Sequence, residues 1–220
     1  FVFTEKYSVS TTFIATRLMD SRLIRTDSDI KSAVVKYLQF TAVAEVEYGH
    51  ISKWDTSRVT NMNSLFSVQR LWDTAGTTPN GYEDFWSTFN EDISGWNVAN
   101  VTTMYRMFEG QFMFDQDLKW DTSSLELTES MFEDCGAFNG DISGWSMGKV
   151  TSVARMFFNA KKFNCDVSKW DTSKIKSMHC VFMNATVFNQ DISGWNTQEV
   201  TSLKMAFHGA YLFDQDLSGW

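Results

Sequence analysis

Apolar residues recur along residues 50–220 at intervals of three or four, separated by short polar runs, and the whole pattern returns about every 25 residues. The octapeptide FNQDISGW at 188–195 shows the unit most clearly. Its variants are FNEDISGW at 89–96, FDQDLKW at 114–120, FNGDISGW at 138–145, FNCDVSKW at 163–170 and FDQDLSGW at 213–220. Because an active site is needed only once, a motif that returns at a fixed interval indicates a repeating structure.

The tryptophan that ends each copy sets the interval. The step from Trp96 to Trp120 is 24 residues because that copy is one residue shorter, and every later step is 25. The step from Trp54 to Trp96 is 42 residues, so the first repeat carries an insertion near residues 68–84. The pattern predicts six to seven repeats of about 25 residues.

The apolar spacing alone is typical of an amphipathic helix. However, Asn or Asp follows each Phe, Ser-Gly precedes most of the tryptophans, and polar runs such as Asp-Thr-Ser follow them, all of which favour turns. A unit that turns more than once cannot bury its own apolar side chains, whereas stacked copies form a continuous core of Phe, Met, Ile and Trp. The sequence therefore predicts a repeat solenoid over residues 50–220, preceded by an N-terminal segment, residues 1–49.

The repeat pattern W-[DN]-T-S-x-V-T-x-M-x-x-M-F-x-x-A-x-x-F-N-x-D-I-S-G-W resembles a known family. It is similar to the repeat of about 25 residues in surface proteins of bacteria and protists, the BspA-like leucine-rich-repeat family. The resemblance covers residues 50–220 and extends to the segments TDSDIKSAVVKYL and YGHISKW ahead of them. It implies a leucine-rich-repeat-like solenoid with a short strand near VTxM and a helical turn near MFxxA in each coil, and it implies display at a surface and adhesion.

Both ends of the sequence lead to separate expectations. The segment TDSDIKSAVVKYL has the polar start, early acids and apolar spacing of a helix over residues 28–40, which we expect to cap the first repeat. Residues 1–20 are rich in β-formers and are either a strand or hairpin against that cap or the tail of a preceding region. The sequence stops at Trp220, the first residue of another unit, so either the protein continues or the last coil makes an end-to-end contact with a partner.

Two polar positions repeat with the core. An Asn or Asp follows the Phe of each octapeptide, where its side chain is expected to bond the backbone of the neighbouring repeat. The Asp two residues later would stack at about 4.8 Å, where two unit charges in water repel by roughly 0.9 kcal/mol. Either N–H donors of the turn stabilise these carboxylates, or pairs such as Asp115-Gln116-Asp117 bind calcium. No Gly-rich calcium loop is present, so we predict no metal site and no cofactor.

Charge and composition exclude other classes of protein. The net charge is -8, and the Lys and Arg residues are spread thinly along the chain. Nucleic-acid binding needs clustered Lys and Arg, so we expect no nucleic-acid partner. No apolar run approaches the roughly 18 residues of a membrane span, so we expect no transmembrane segment. The cysteines, Cys135, Cys165 and Cys180, are odd in number and fall at different positions of the repeat, which indicates neither a disulfide framework nor a zinc site.

The sequence also lacks a pattern typical of catalysis. It contains three histidines, His50, His179 and His208. His179 and Cys180 are adjacent, so their side chains are expected to point apart, and a uniform column of Asp singles out no carboxylate pair of the kind that glycosidases use. We therefore predict no catalytic residues and no enzymatic activity.

Two surfaces are candidates for binding. The insertion contains aromatic residues that either pack the loop onto the coil or form a contact patch for a protein or glycan; these are Trp72, Tyr82 and Trp86. Variable positions beside the predicted strand form a second candidate surface, although solvated surface varies in the same way; its residues are Tyr105, Arg106, Arg155, His179 and Lys204.

Two sequons, at Asn100 and Asn184, would accept glycans if the protein is secreted by a eukaryote. The main functional hypothesis is a non-catalytic repeat protein, at the cell surface or secreted, that contacts protein or carbohydrate in adhesion or in a matrix. The alternative is a structural scaffold subunit of a larger multiprotein assembly, inside an organelle or elsewhere.

Overall fold

The structure is a computed structural model, and it describes residues 21–69 and 88–220. The helices and paired strands lie at the start of the described chain. They are strand β1 (Ile24–Thr26), helix α1 (Ile30–Gln39), helix α2 (Thr41–Tyr48), a 3-10 helix (Ile51–Lys53) and strand β2 (Asp55–Arg58). The strand or hairpin expected for residues 1–20 lies outside the described residues and stays a prediction.

Helix α1 occupies the segment for which the sequence predicts a helix over residues 28–40. Its buried side chains recur at intervals of three and four and form one apolar face; they are Ile30, Ala33, Val34 and Tyr37. Helix α2 was not predicted, because it buries one side chain, Ala44, and so has no apolar periodicity. It ends at Tyr48 and is followed by Gly49, whose φ of 72° is a conformation that glycine adopts readily.

The N-terminal segment completes the hydrogen bonding of the first repeat. Strand β1 pairs in parallel with strand β2. The carboxylate of Asp27 accepts hydrogen bonds from the backbone N–H groups of Thr60 and Asn61, at 2.8 and 3.0 Å. In the next repeat, the N–H group of Thr102 donates instead to the carbonyl of Thr60, at 2.9 Å. Asp27 thus supplies the acceptor that a preceding repeat would otherwise supply, which is how this segment caps the first repeat.

We number the repeats 1–6 by the tryptophan that begins each one and count that residue as position 0; they begin at Trp54, Trp96, Trp120, Trp145, Trp170 and Trp195. Consecutive repeats lie side by side. At each junction the N–H groups at positions 10, 12 and 14 donate to carbonyls at positions 9, 11 and 13 of the following repeat, at 2.7 to 3.0 Å. Isolated parallel bridges occur at position 7, within the segment where a short strand is expected.

The chain after position 7 forms a series of tight turns. The N–H group at position 11 donates to the carbonyl at position 8, and position 15 donates to position 12. Position 10 of all six repeats and position 14 of repeats 2–6 have positive φ. Positive φ at the third residue is the geometry of a type II turn and interrupts an α-helix. The helical turn expected near MFxxA therefore takes the form of consecutive β-turns.

The apolar positions point inward and share one hydrophobic cluster with helix α1. The phenylalanine at position 12 stacks on its counterparts, so that the ring centroid of Phe157 lies 5.8 Å from that of Phe132 and 5.6 Å from that of Phe182. Neighbouring indoles stack at 6.2 Å. The indole N–H group of every tryptophan at position 0 donates to a backbone carbonyl, as from Trp195 to Val167 at 3.0 Å. The octapeptide is therefore repeated because every copy needs the same core and the same bonds.

The expected ladder of Asn and Asp side chains is confirmed. The Oδ1 atom of Asn139 accepts a hydrogen bond from the N–H group of Asn164 at 2.7 Å, and Oδ1 of Asn164 accepts one from Asn189 at 2.9 Å. The same bond links Asp214 to Asn189 at 2.9 Å. These side chains satisfy backbone donors at the edge of each repeat, where no strand ladder is available to them.

The shortened second repeat changes one junction. There the N–H group of Leu118 donates to the carbonyl of Asp141 at 3.0 Å, and the N–H group of Asp141 donates to Oδ1 of Asp117 at 2.9 Å. A Cβ atom placed on Gly140 would lie 2.0 Å from the carbonyl oxygen of Gln116. Only glycine fits at this position, because the backbone of Gln116 approaches it across the junction.

Candidate functional site

An open groove of about 440 Å³ follows the surface of repeats 2–6. It is built from positions 14 and 16, which lie on the outer side of the turns that carry the Phe of position 12. Position 14 forms its floor, and position 16 supplies its aromatic ends. Its lining includes Phe112, Asp134, Asn159, Lys161, Asn184 and Tyr211.

The floor of the groove is a ladder of polar side chains. Asn159 Nδ2 donates to Oδ1 of Asp134 at 2.6 Å, and Asn184 Nδ2 donates to Oδ1 of Asn159 at 2.8 Å. All three residues have positive φ, between 57° and 61°, a conformation that Asn and Asp tolerate better than other residues with a side chain. A Cβ atom on Gly209 would lie 2.2 Å from Oδ1 of Asn184, so glycine continues the floor into repeat 6.

Aromatic side chains stand at the two ends of the groove. Phe112 is 54% exposed and Tyr211 is 83% exposed, although both are large side chains that folding usually covers. A Cβ atom on Gly136 would lie 2.5 Å from the ring of Phe112, so the ring lies over that glycine. The groove contains one carboxylate, that of Asp134, and one ammonium group, that of Lys161. It therefore combines exposed aromatic rings with amide groups and little net charge.

The variable surface predicted beside the strand forms one strip, because all its members occupy positions 9 and 10. Its ends differ in their contacts. Arg106 lies over the ring of Tyr105 at 5.1 Å and 3.5 Å from the carboxylate of Glu109. Farther along, Arg155 forms a two-pronged ion pair with the buried Glu133, which raises the pKa of the guanidinium. Both guanidinium groups are therefore paired with carboxylates of the protein itself.

The last two predicted members of the strip, His179 and Lys204, lie in neighbouring repeats. Nδ1 of His179 is 3.1 Å from the carbonyl oxygen of Lys204, so the ring packs along the strip. The insertion residues Trp72, Tyr82 and Trp86 lie outside the described residues, and their contribution to binding stays a prediction.

The side chains of His179 and Cys180 do not point apart as expected. The Sγ atom of Cys180 is 3.5 Å from Nε2 of His179, because the positive φ of Cys180, 54°, interrupts the alternation of side chains along an extended chain. Burial raises the pKa of this thiol, although Arg155 and Lys204 act in the opposite direction. Burial therefore opposes formation of the thiolate.

Hydrogen bonds from the turn explain the column of Asp residues. The hydroxyl and the N–H group of Ser143 donate to Oδ1 of Asp141, at 2.7 and 3.1 Å, and they lower the pKa of that carboxyl. Nζ of Lys119 lies 3.5 Å from Asp141 and 3.7 Å from Asp117, which reduces the repulsion between neighbouring carboxylates. Over residues 21–69 and 88–220, no group of three or more His, Cys, Asp and Glu side chains is arranged to hold a metal ion.

The two sequons occupy different environments. Asn100 is exposed, and its Nδ2 donates to the carbonyl of Ser57 at 2.9 Å. Asn184 is half-buried in the floor of the groove. A glycan on Asn184 would therefore occupy the groove at the nitrogen that donates to Asn159, whereas one on Asn100 would be attached outside the residues that line the groove.

Sequence reasoning missed the groove, with the exception of Asn184. A signal for it exists at position 14, where repeats 2–6 carry Gly110, Asp134, Asn159, Asn184 and Gly209. These are the residue types that adopt positive φ most readily, so the column indicates a turn. The column does not indicate that its side chains share one surface, because this depends on how the repeats stack.

The part of the chain that the structure describes contains no helix that is both long and apolar enough to cross a membrane. A search of curated proteins found no match, and a search of solved structures found none. One protein family matches twice, over residues 35–164 and 141–220, and it is described as a Mycoplasma protein of unknown function, DUF285. Because these two segments together cover most of the sequence, the chain belongs to the DUF285 family.

Proposed function

We propose that the protein is a non-catalytic binding protein that contacts protein or carbohydrate through the groove of repeats 2–6, in adhesion or in a matrix. The observation that carries this proposal is the groove itself, in which exposed aromatic rings flank a polar ladder. Exposed aromatic side chains are common anchors in recognition. The strip of positions 9 and 10 is the weaker candidate, because its two arginines are already paired with carboxylates.

The proposed fold is a leucine-rich-repeat-like solenoid of the BspA-like type. The regular backbone bonds between consecutive repeats and the stacked core support it. A stack of this kind presents the same position of every repeat along one line, so it suits an elongated ligand. The proposed location is the cell surface or the exterior of the cell.

The absence of catalysis is part of the proposal. Within the described residues, His179 and Cys180 bring an imidazole next to a thiol, but Cys180 is 2% exposed and its pKa is raised by burial. A protonated, covered thiol is a poor nucleophile. The alternative role, a scaffold subunit of a larger assembly, predicts a stable complex with defined partners instead of binding at the groove.

Binding to immobilised matrix material tests the proposal. The probes are a matrix-protein extract and a matrix-polysaccharide extract, coated separately. Thr186, whose hydroxyl donates to the carbonyl of Lys161 at 3.1 Å, lines the groove, so Thr186→Trp would obstruct it. Lys149→Trp places the same ring at an exposed position outside the groove.

We expect the wild type and the Lys149 variant to bind one of the two coatings and the Thr186 variant to lose that binding. Equal binding by both variants would exclude the groove as the contact site. Binding to neither coating, together with purification in a defined complex, would favour the scaffold alternative. Circular dichroism of both variants checks that a loss of binding does not come from unfolding.

A further inference from the structure

We propose that the ligand of the groove is a linear, electrically neutral polysaccharide that lies along the stacking direction of the repeats. This inference rests on the proposed function and narrows it from protein or carbohydrate to one class of ligand. Three features carry it: the interval between the polar groups of the floor, the aromatic rings at both ends and the balance of charge.

The floor presents one polar side chain in each of repeats 3, 4 and 5. Equivalent rings of neighbouring repeats lie 5.6 to 6.2 Å apart, and Asp134, Asn159 and Asn184 occupy three successive repeats. A pyranose ring in an extended chain has a length close to this interval, so successive sugars meet equivalent groups. Amide and carboxylate oxygens accept hydrogen bonds from sugar hydroxyls, and amide N–H groups donate to them.

A peptide does not match this interval. Its residues advance by about 3.3 Å in an extended strand and by about 3.1 Å in a polyproline II helix. Successive peptide groups would therefore fall out of register with the floor within a few residues. The backbone N–H groups of the three floor residues also already donate to carbonyls of the following repeat, so they are not free to pair with a peptide strand.

The rings at the two ends suit the apolar faces of sugars. Phe112 and Tyr211 occupy position 16 of repeats 2 and 6, four intervals apart. Their exposed fractions, 54% and 83%, leave ring faces open to a ligand. An aromatic face carries partial negative charge and attracts the positively polarised C–H groups on one face of a pyranose. A chain of at least four sugars would reach from one ring to the other.

The charge of the groove favours a neutral ligand. Asp134 and Lys161 are the acidic and basic residues that line it, and their charges cancel. The chain as a whole carries a net charge of -8, which repels polyanions such as uronic acid polymers. A polycation would be attracted by the one carboxylate in the groove and repelled by the one ammonium group, so the groove would add little to its affinity.

Affinity electrophoresis in native gels tests the inference. The gels contain a linear neutral glucan, a linear neutral mannan, a linear neutral xylan or a polyuronate, and mobility is compared with that in a gel without polysaccharide. The variants are Phe112→Ala and Tyr211→Ala. Phe40→Ala is the matched control, because Phe40 is 60% exposed but lies between helices α1 and α2.

We expect at least one neutral polysaccharide to retard the wild type and the Phe40 variant, and the polyuronate to retard neither. Each groove variant should bind that polysaccharide about tenfold more weakly, as measured by titration with its oligosaccharides. Retardation by no neutral polysaccharide, or equal retardation of all four proteins, would overturn the inference.

The outcome separates this inference from the proposed function. If the protein binds the matrix-protein coating, loses that binding in Thr186→Trp and is retarded by no neutral polysaccharide, the groove is a protein-binding site and the glycan inference is wrong. If binding to both coatings also fails, the proposed function fails with it. Retention of secondary structure in each variant, measured by circular dichroism, excludes unfolding as the cause.

Discussion

The junction between the shortened second repeat and the third gives the sharpest test of the fold. Alanine at Gly140 would place its Cβ atom 2.0 Å from the carbonyl oxygen of Gln116 and 2.6 Å from its carbonyl carbon. Both atoms belong to the backbone, so no side-chain rotation relieves the contact. The two repeats must separate by more than an ångström, which removes the bonds from Leu118 to Asp141 and from Asp141 to Asp117.

The expected cost follows from these contacts. The backbone bond contributes about 0.5–1.5 kcal/mol, and the bond to the exposed Asp117 carboxylate contributes about as much once solvent screening is considered. Displacement of well-packed neighbours adds about 1–3 kcal/mol. We expect Gly140→Ala to lower the free energy of unfolding by about 2–6 kcal/mol, which for a chain of this size lowers Tm by about 4–24 °C.

Gly144→Ala is the control for this substitution. It lies four residues farther along the same repeat, and a Cβ atom there would meet nothing within 4 Å. We expect a change of less than about 0.5 kcal/mol. Calorimetry gives the Tm of each variant, and hydrogen exchange of the Leu118 and Asp141 amides reports the junction directly. If Gly140→Ala is as stable as Gly144→Ala and both amides stay protected, the proposed contact between the two backbones is wrong.

A second change tests the cause of the contact. Insertion of a serine between Leu118 and Lys119 restores the length of the other repeats and their Asp-x-Ser turn. If the deletion draws the backbones together, the insertion should make Gly140→Ala tolerable. An unchanged penalty in the lengthened protein would mean that another feature of the chain requires glycine at this position.

Three further predictions concern the core, the ladders and pH. Phe157→Ala removes a fully buried ring and should lower the free energy of unfolding, measured with urea, by about 3–5 kcal/mol. Phe207→Ala removes a half-buried ring at the same position of repeat 6 and should lower it by less. Equal losses in the two variants would contradict this packing. Asn164→Ala removes the acceptor of the Asn189 N–H group and should lower the free energy of unfolding by about 0.5–1.5 kcal/mol. Asn164→Asp keeps an acceptor oxygen and should retain most of that stability. Equal losses in the two variants would exclude the ladder. The pKa of Asp141 is lowered in the folded protein, so the stability that its carboxylate contributes is present above the usual aspartate pKa of about 3.9 and is lost as the pH falls through the pKa of the folded state. Between about pH 6 and about pH 3, the Tm of Asp141→Asn should therefore depend less on pH than that of the wild type. Identical profiles of Tm against pH would refute this assignment.

Much of the repeat architecture follows from sequence patterns that the structure retains. The 25-residue period places the Phe of position 12 in the core, and the Asn at the edge of each repeat bonds its neighbour. The apolar spacing of helix α1 was sufficient to predict it. The solenoid of leucine-rich-repeat type and its role in binding stay proposals, because the period alone does not distinguish one stacked architecture from another.

Other features could not be predicted from the sequence, because they depend on local backbone geometry. The contact between Cys180 and His179 arises from a positive φ at a residue type that seldom adopts it. Helix α2 lacks apolar periodicity, since Ala44 is its one buried side chain. Neither feature leaves a pattern of residue types that spacing rules recognise.

The sequence by itself determined which residues are internal and that each repeat needs its neighbours, because residue type and period fix the burial of an apolar side chain. Only the tertiary structure decided which surface positions meet. Phe112 and Tyr211 are 99 positions apart in the sequence, and they reach one groove because backbone bonds between repeats place position 16 of each on the same line. Gly140 is likewise required by the carbonyl of Gln116, which approaches it across the junction and not along the chain.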